Sequence, residues 1–175
     1  PFVHQYLRPL YLNAQGERLP TRQAMKNMRV LTFYGYSYGT AVIQLIADEL
    51  SADMKKHGYS EPESALIQSQ ILTFQMGSDL NPDQYQNYFR QYHLLNTQDE
   101  IVFDRVRPLL PTLPSNAPDL IQTHLKDAPN QQVLLVNTTA FNNDDTPHHT
   151  NTYCNETTEI QKRVKLWKNS ILFHG

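Results

Sequence analysis

A G-x-S-x-G segment constrains the fold of this chain more than any other feature. The apolar run Val30–Phe33 leads into Gly35-Tyr36-Ser37-Tyr38-Gly39, and a helix-forming stretch begins at Thr40. This strand–turn–helix context is that of a nucleophile elbow. We expect both glycines to be needed, because a strand that turns abruptly into a helix leaves no room for side chains beside the serine. Ser37 then lies at the tip of the turn, where the N–H groups of a helix N-terminus can stabilise a developing negative charge.

A simpler interpretation of the segment is a glycine-rich turn whose serine only caps the next helix, since serine is a common N-cap residue. The flanking pattern favours the elbow instead. The predicted helix over 41–56 has an apolar face formed by Val42, Ile43, Leu45, Ile46 and Leu50. His57-Gly58 supplies its C-terminal stop.

Bulk properties limit the classes of function. The 175 residues have the length of one domain, and we expect a single domain over residues 1–175. A net charge of -2 and the lack of a basic–aromatic patch argue against nucleic-acid binding. No apolar stretch reaches the roughly 18–20 residues of a membrane-spanning helix, so no transmembrane segment is expected. A mean hydropathy of -0.56 indicates a soluble protein and leaves its compartment and oligomeric state open.

Apolar and amphipathic segments alternate along the chain, which predicts an α/β fold with a mostly parallel sheet and flanking helices. Strands are expected at 1–12, 29–34, 65–76, 92–95 and 132–138. Helices are expected at 21–28 (with Thr21 as N-cap), 41–56, 83–90, 118–126 and 157–170. Ligands and catalytic groups of such sheets gather at the carboxyl ends of the strands.

Three positions predict a catalytic triad. A serine nucleophile needs a histidine as general base, and that histidine needs an acid to orient it. In hydrolases with an elbow the order along the chain is Ser, then Asp or Glu, then His, each after a strand. Ser37, Asp99 and the pair His148-His149 follow that order, each beyond a predicted strand. We expect His149 or His148 to be the base, since sequence does not separate neighbours.

Other residues compete for these roles. Glu100 and Asp104 are alternatives to Asp99 as the acid, and His174 is an alternative base if the terminal segment returns as a strand.

A metal site is a further possibility in the polar loop after the last predicted strand. Asp144, Asp145, His148 and His149 are suitable metal ligands, but they lie in one short loop with no second ligand group elsewhere. The single cysteine, Cys154, excludes a cysteine-based zinc site. We therefore expect neither a metal nor a cofactor.

Further segments extend the elbow pattern. They are Leu72-Thr73-Phe74-Gln75-Met76-Gly77, Asn96-x-x-Asp99 with Ile101-Val102 and Leu109-Leu110-Pro111, and His149 followed by Tyr153. With the elbow, and over about residues 21–153, the chain resembles class 3 lipases of the α/β-hydrolase fold. The resemblance implies an α/β-hydrolase-like domain that cleaves acyl esters, lipid-derived esters among them, through a Ser-Asp-His triad and an acyl-enzyme. It also implies that the N–H of Tyr38 is an oxyanion donor, and that Tyr36 and Tyr38 line the substrate pocket.

Two departures from the family pattern motivate another function. Tyr36 and Tyr38 stand where the family usually has His and Leu. Only 34 residues precede Gly35, where the family generally has several strands and a second oxyanion donor. The chain is then either truncated at its N-terminus or has a reduced site. The alternative is a catalytically inactive hydrolase-fold module that binds or regulates, and an acyltransferase with the same triad is a third candidate.

Overall fold

A computed structural model describes residues 1–77, 87–97, 99, 103–104, 106–112, 119–126, 128–136 and 159–174. The chain begins with a π-helical turn, Val3–Leu7, that continues into α1 (Arg8–Tyr11). The next elements are α2 (Thr21–Met28), β1 (Thr32–Tyr36), α3 (Gly39–Lys56), α4 (Glu61–Gln68), β2 (Leu72–Met76) and β3 (Arg90–Asn96). A 3-10 turn (Arg107–Leu109), β4 (Leu120–Leu125), β5 (Ala128–Val136) and α5 (Glu159–His174) follow.

The strands form one five-stranded sheet in the order β1-β2-β3-β5-β4. β1, β2, β3 and β5 are parallel, and β4 pairs antiparallel with β5. The register sets Tyr36 beside Met76 and Met76 beside Leu94. The carboxyl ends of these parallel strands therefore lie at one edge of the sheet. The predicted α/β class with a mostly parallel sheet and flanking helices is confirmed.

Helices cover both faces of the sheet. On one face α3 packs over β1, and its buried residues Ile43, Leu50 and Met54 join side chains of α1 and α2 in one cluster. On the other face α5 packs through Val164 and Trp167. None of the described helices is long and apolar enough to cross a membrane.

Asp53 fixes the C-terminal end of α3. Its side chain is 5% exposed and accepts hydrogen bonds from Arg8 Nε at 3.0 Å and Arg8 Nη2 at 2.5 Å. The hydroxyl of Tyr11 also donates to this carboxylate. The hydrogen bonds from Arg8, with a smaller contribution from Tyr11, hold the pKa of Asp53 well below its usual value. The α1 segment and α3 are therefore joined through a buried charge.

Three segments differ from the sequence prediction. Residues 1–12 are largely helical rather than a strand, because Val3, Leu7 and Tyr11 recur every four residues and form a buried helical face. The expected strand over 65–76 is the end of α4 followed by β2. The expected helix over 118–126 contains β4, which forms a hairpin with β5.

Two smaller expectations about helices also change. The N-cap position of α2 is Pro20, and the Thr21 hydroxyl donates to Glu63 at 2.9 Å instead. In the expected helix over 83–90, residues 87–89 form a bend and Arg90 begins β3, while 83–86 lie outside the described residues.

Replacing Asp53 by asparagine should destabilise the fold in a pH-dependent way. Near neutral pH we expect a loss of about 2–3 kcal/mol of unfolding free energy, somewhat less than for a fully buried pair because Arg8 is partly exposed. The pKa of Asp53 is lowered on folding, so its contribution is fully present above the pKa of the unfolded carboxyl, about 4. It is lost as the pH falls below that value. Urea unfolding of wild type and variant at neutral and acid pH measures both effects.

Asp48→Asn is the matched control, because Asp48 is exposed on the same helix. We expect it to change the unfolding free energy by less than about 0.5 kcal/mol. A gap between wild type and Asp53→Asn that stays constant down to acid pH would show that the charge of Asp53 is not what stabilises α3.

Candidate active site

The chain turns from β1 into α3 at Ser37. Ser37 has φ 48°, and it is the one non-glycine residue with positive φ in the described part of the chain. Its N–H donates to the Met76 carbonyl at 3.0 Å, which extends the pairing of β1 with β2. Its carbonyl accepts from Thr40 N at 3.0 Å and from Thr40 Oγ1 at 2.7 Å. The serine is therefore held in the left-handed region by hydrogen bonds on both sides.

Gly35 permits the close approach of α3 to β1. A Cβ at this position would lie 2.8 Å from Ile43 Cδ1 and 3.1 Å from Thr40 N. A Cβ at Gly39 meets no described atom within 4 Å. The expectation that space requires a glycine is therefore confirmed for Gly35 and wrong for Gly39.

The N-terminus of α3 has an open donor beside the serine. Tyr38 occupies the N-cap position, and no side chain caps the helix there. The N-cap position of α3 is thus held by Tyr38 and not by Ser37. Within the described residues no hydrogen bond uses the N–H of Tyr38. That N–H has the position in the chain that an oxyanion donor requires.

The two tyrosines of the motif have different environments. Tyr36 is partly buried and packs against Met76, Leu94 and their neighbours on the α5 face of the sheet. Tyr38 is 69% exposed. Of the two, Tyr38 is the one placed to contact a molecule bound near Ser37, whereas Tyr36 serves the core.

An exposed apolar stripe starts at the elbow and follows α3. Tyr38, Val42 and Leu45 are 69%, 45% and 62% exposed. Their spacing of four and three residues places them on one side of the helix. The surface of α3 next to Ser37 is therefore apolar. Val42 and Leu45 were expected on the apolar face of this helix that packs into the core, and they are exposed instead.

Asp99 lies just beyond the carboxyl end of β3. It is 1% exposed, its N–H donates to Asn96 O at 3.0 Å, and its carbonyl accepts from Phe103 N at 2.8 Å. Asp104 is exposed, and Glu100 lies outside the described residues. Since a triad acid is a buried group that holds the imidazole, Asp99 fits the role better than Asp104.

The sheet brings Ser37 and Asp99 to the same edge. They follow β1 and β3, which are separated only by β2. At roughly 4.8 Å per strand the two strand ends lie about 10 Å apart. This spacing leaves room for a side chain to lie between serine and acid.

β5 also ends at this edge, at Val136, because it is parallel to β3. His148 and His149 follow β5 in the sequence and lie outside the described residues, as do Asp144, Asp145 and Tyr153. His174 belongs to α5 rather than to a returning strand, so the condition for its role as base is not met. The described residues contain no group of three His, Cys, Asp or Glu side chains that could hold a metal ion.

Thr40 is a residue of the site that sequence analysis missed. Its side chain is fully buried, and its hydroxyl donates to the carbonyl of Ser37. A threonine in the first turn after the motif is the sequence signal that could have identified it. Its hydrogen bond fixes the peptide that carries the serine.

Comparisons of the chain with protein-family models, with curated proteins and with solved structures found no match.

Gly35→Ala should separate α3 from β1. The new Cβ meets a helix backbone nitrogen as well as Ile43, so we expect a loss of about 1–3 kcal/mol of unfolding free energy in urea denaturation. Gly39→Ala is the matched control and should leave stability unchanged or raise it by up to about 1 kcal/mol, as alanine favours helix over glycine. Equal losses in the two variants would contradict the close approach at Gly35.

Ser37→Gly and Ser37→Ala should report the backbone strain directly. Both lack the hydroxyl, but only glycine adopts positive φ without a steric cost. We expect the glycine variant to be about 1 kcal/mol more stable than the alanine variant in the same assay. Ala41→Gly, in ordinary helix, should show the opposite preference by about 0.5–1 kcal/mol. An alanine variant as stable as the glycine variant at position 37 would rule out the strain.

Proposed function

We propose that this chain is a serine esterase or lipase of the α/β-hydrolase type, with Ser37 as its nucleophile. The observation that carries the proposal is the positive φ of Ser37 at the turn from β1 into α3. A non-glycine residue in that conformation costs about 1–2 kcal/mol, and such strain concentrates at functional sites. A strained serine on a strand-to-helix turn is the geometry of the nucleophile elbow.

In the proposed reaction Ser37 Oγ attacks the carbonyl carbon of an ester, and the imidazole of His149 or His148 takes the hydroxyl proton. Asp99 orients that imidazole and stabilises its positive charge. The negative charge on the former carbonyl oxygen is stabilised by the N–H of Tyr38 and by the N-terminal end of α3.

Collapse of the tetrahedral intermediate breaks the bond to the alcohol oxygen, which takes the proton from the imidazolium and leaves as the alcohol. Water then attacks the acyl-enzyme, with the same histidine as base, and releases a carboxylic acid and free Ser37. No cofactor is required for either half of the reaction.

The surface beside Ser37 favours esters with an apolar acyl chain. Tyr38, Val42 and Leu45 form an exposed apolar stripe that begins at the serine. Exposed apolar surface of this kind commonly marks a binding site. This feature supports a lipid-derived ester over a small polar one.

A fluorophosphonate probe tests the nucleophile, because it labels a serine only where a base activates it. We expect labelling of wild type at Ser37, identified by peptide mass spectrometry, and no labelling of Ser37→Ala. Ser37→Ala should also abolish turnover of p-nitrophenyl butyrate. Ser170→Ala is the matched control, because Ser170 is exposed on α5 and its hydroxyl donates to the Trp167 carbonyl of the same helix.

The proposed role of Asp99 as the triad acid is tested in the same assays. We expect Asp99→Asn to lower turnover by about 10³-fold or more, and Asp104→Asn to leave it unchanged. Circular dichroism shows that each variant is folded. Failure of wild type to label or to turn over the ester would favour the catalytically inactive module, and equal labelling of Ser37→Ala would exclude Ser37 as the nucleophile.

A further inference from the structure

A second candidate site lies at the opposite edge of the sheet from Ser37. A cavity of about 480 Å³ opens at the amino ends of β1, β2 and β3. Thr32, Leu72 and Arg90, the first residues of these strands, are register neighbours and line the cavity together. The length of β1 separates the cavity from Ser37 by about 16 Å. The site is therefore independent of the proposed esterase chemistry.

Two arginines give this cavity a positive charge. Arg29, from the turn before β1, and Arg90 both line it. No carboxylate of the described residues lies within ion-pair distance of either guanidinium. Arg29 Nε donates to the side-chain oxygen of Gln70 at 2.9 Å, which fixes its guanidinium at the cavity. Two cations held at one cavity, with no acid partner in the part of the chain that the structure describes, favour an anionic ligand.

Arg90 gives the most direct evidence that the cavity favours an anionic ligand. Its Nε is buried and has no hydrogen-bond partner among the described residues. A guanidinium offers five N–H donors in a planar fork, and a buried donor without an acceptor is costly. A bound oxyanion would supply the acceptor, since the fork matches the oxygen spacing of phosphate.

The other residues that line the cavity are partly polar and partly apolar. Ser69 and Thr32 bring hydroxyl groups, whereas Leu72, Ile171 and Leu172 form an apolar wall. Such a mixture suits a phosphate ester with a short hydrocarbon portion better than a bare ion. We propose that this cavity is a binding site for a phosphate group carried by an apolar molecule, with Arg90 and Arg29 as its ligands.

Arginine side-chain NMR tests the site in the wild-type chain. Titration with butyl phosphate should shift the Nε–H signal of Arg90 along a saturable curve, and inorganic phosphate should do so with at least threefold weaker affinity. Arg22, an exposed arginine of α2 outside the cavity, is the internal control and should not shift. Linear shifts of equal size at Arg90 and Arg22 would overturn the proposal.

Variants give a second, independent test by calorimetric titration with butyl phosphate. We expect Arg90→Gln and Arg29→Gln each to weaken binding at least tenfold, and Arg22→Gln to change it by less than twofold. Arg90→Lys keeps the charge without the fork and should fall between Arg90→Gln and wild type. Unchanged affinity in either cavity variant, with its fold intact, would overturn the proposal.

Vesicles distinguish the source of the phosphate. Co-sedimentation with phosphatidic acid vesicles that is lost in Arg90→Gln and absent with phosphatidylcholine would assign a lipid headgroup. Binding of butyl phosphate without vesicle binding would assign a soluble phosphate ester. Vesicle binding that persists unchanged in Arg90→Gln would overturn the cavity as the lipid site.

Discussion

The rest of the structure depends on how closely α3 crosses β1. At Gly35 a single methyl group would meet the helix, and only Ser37 and Tyr38 join the end of β1 to the start of α3. The chain reverses its direction here with Ser37 in the left-handed backbone conformation. Asp53 holds the far end of the same helix through Arg8 and Tyr11. A cost of about 1–2 kcal/mol at the serine is small beside burial of Ile43, Leu50 and Met54, each worth about 1.5–3 kcal/mol.

The register of the sheet decides which residues meet at its edges, and a buried polar network specifies that register. The side-chain amide of Gln75 donates to Gln91 at 2.7 Å, and that of Gln91 donates to Asn87 at 3.1 Å. His93 is paired with Gln131 across β3 and β5 at 3.0 Å. Burial lowers the pKa of His93 to about 4, so its ring is neutral near pH 7. A slip of one residue would break these bonds and move polar side chains to the α5 face.

Sequence patterns predicted the elements with a clear apolar face or a continuous apolar run, and failed where a helix cap or a tertiary partner decided the structure. The apolar face of α3 predicted a helix directly, and the apolar runs of β3 and β5 predicted two strands. The α4 helix was missed because its apolar residues run on into β2, although Ser60 and Glu63 form a capping box that marks a helix start. β4 was missed because its six residues become a strand through the hairpin with β5, a tertiary partner that no local pattern contains.

The candidate site, too, could be predicted only in part, because some of its features depend on local sequence and others on long-range packing. The elbow is encoded in five consecutive residues, so its turn could be predicted, but the close packing of Ile43 and Thr40 over Gly35 depends on the tertiary structure. The positive φ of Ser37 is an argument for function, because glycine would adopt φ 48° at lower cost. The hydroxyl is what serine adds. The Arg90 cavity had no sequence signal at all, since Thr32 and Arg90 come to lie on either side of Leu72 only through the parallel register of three strands.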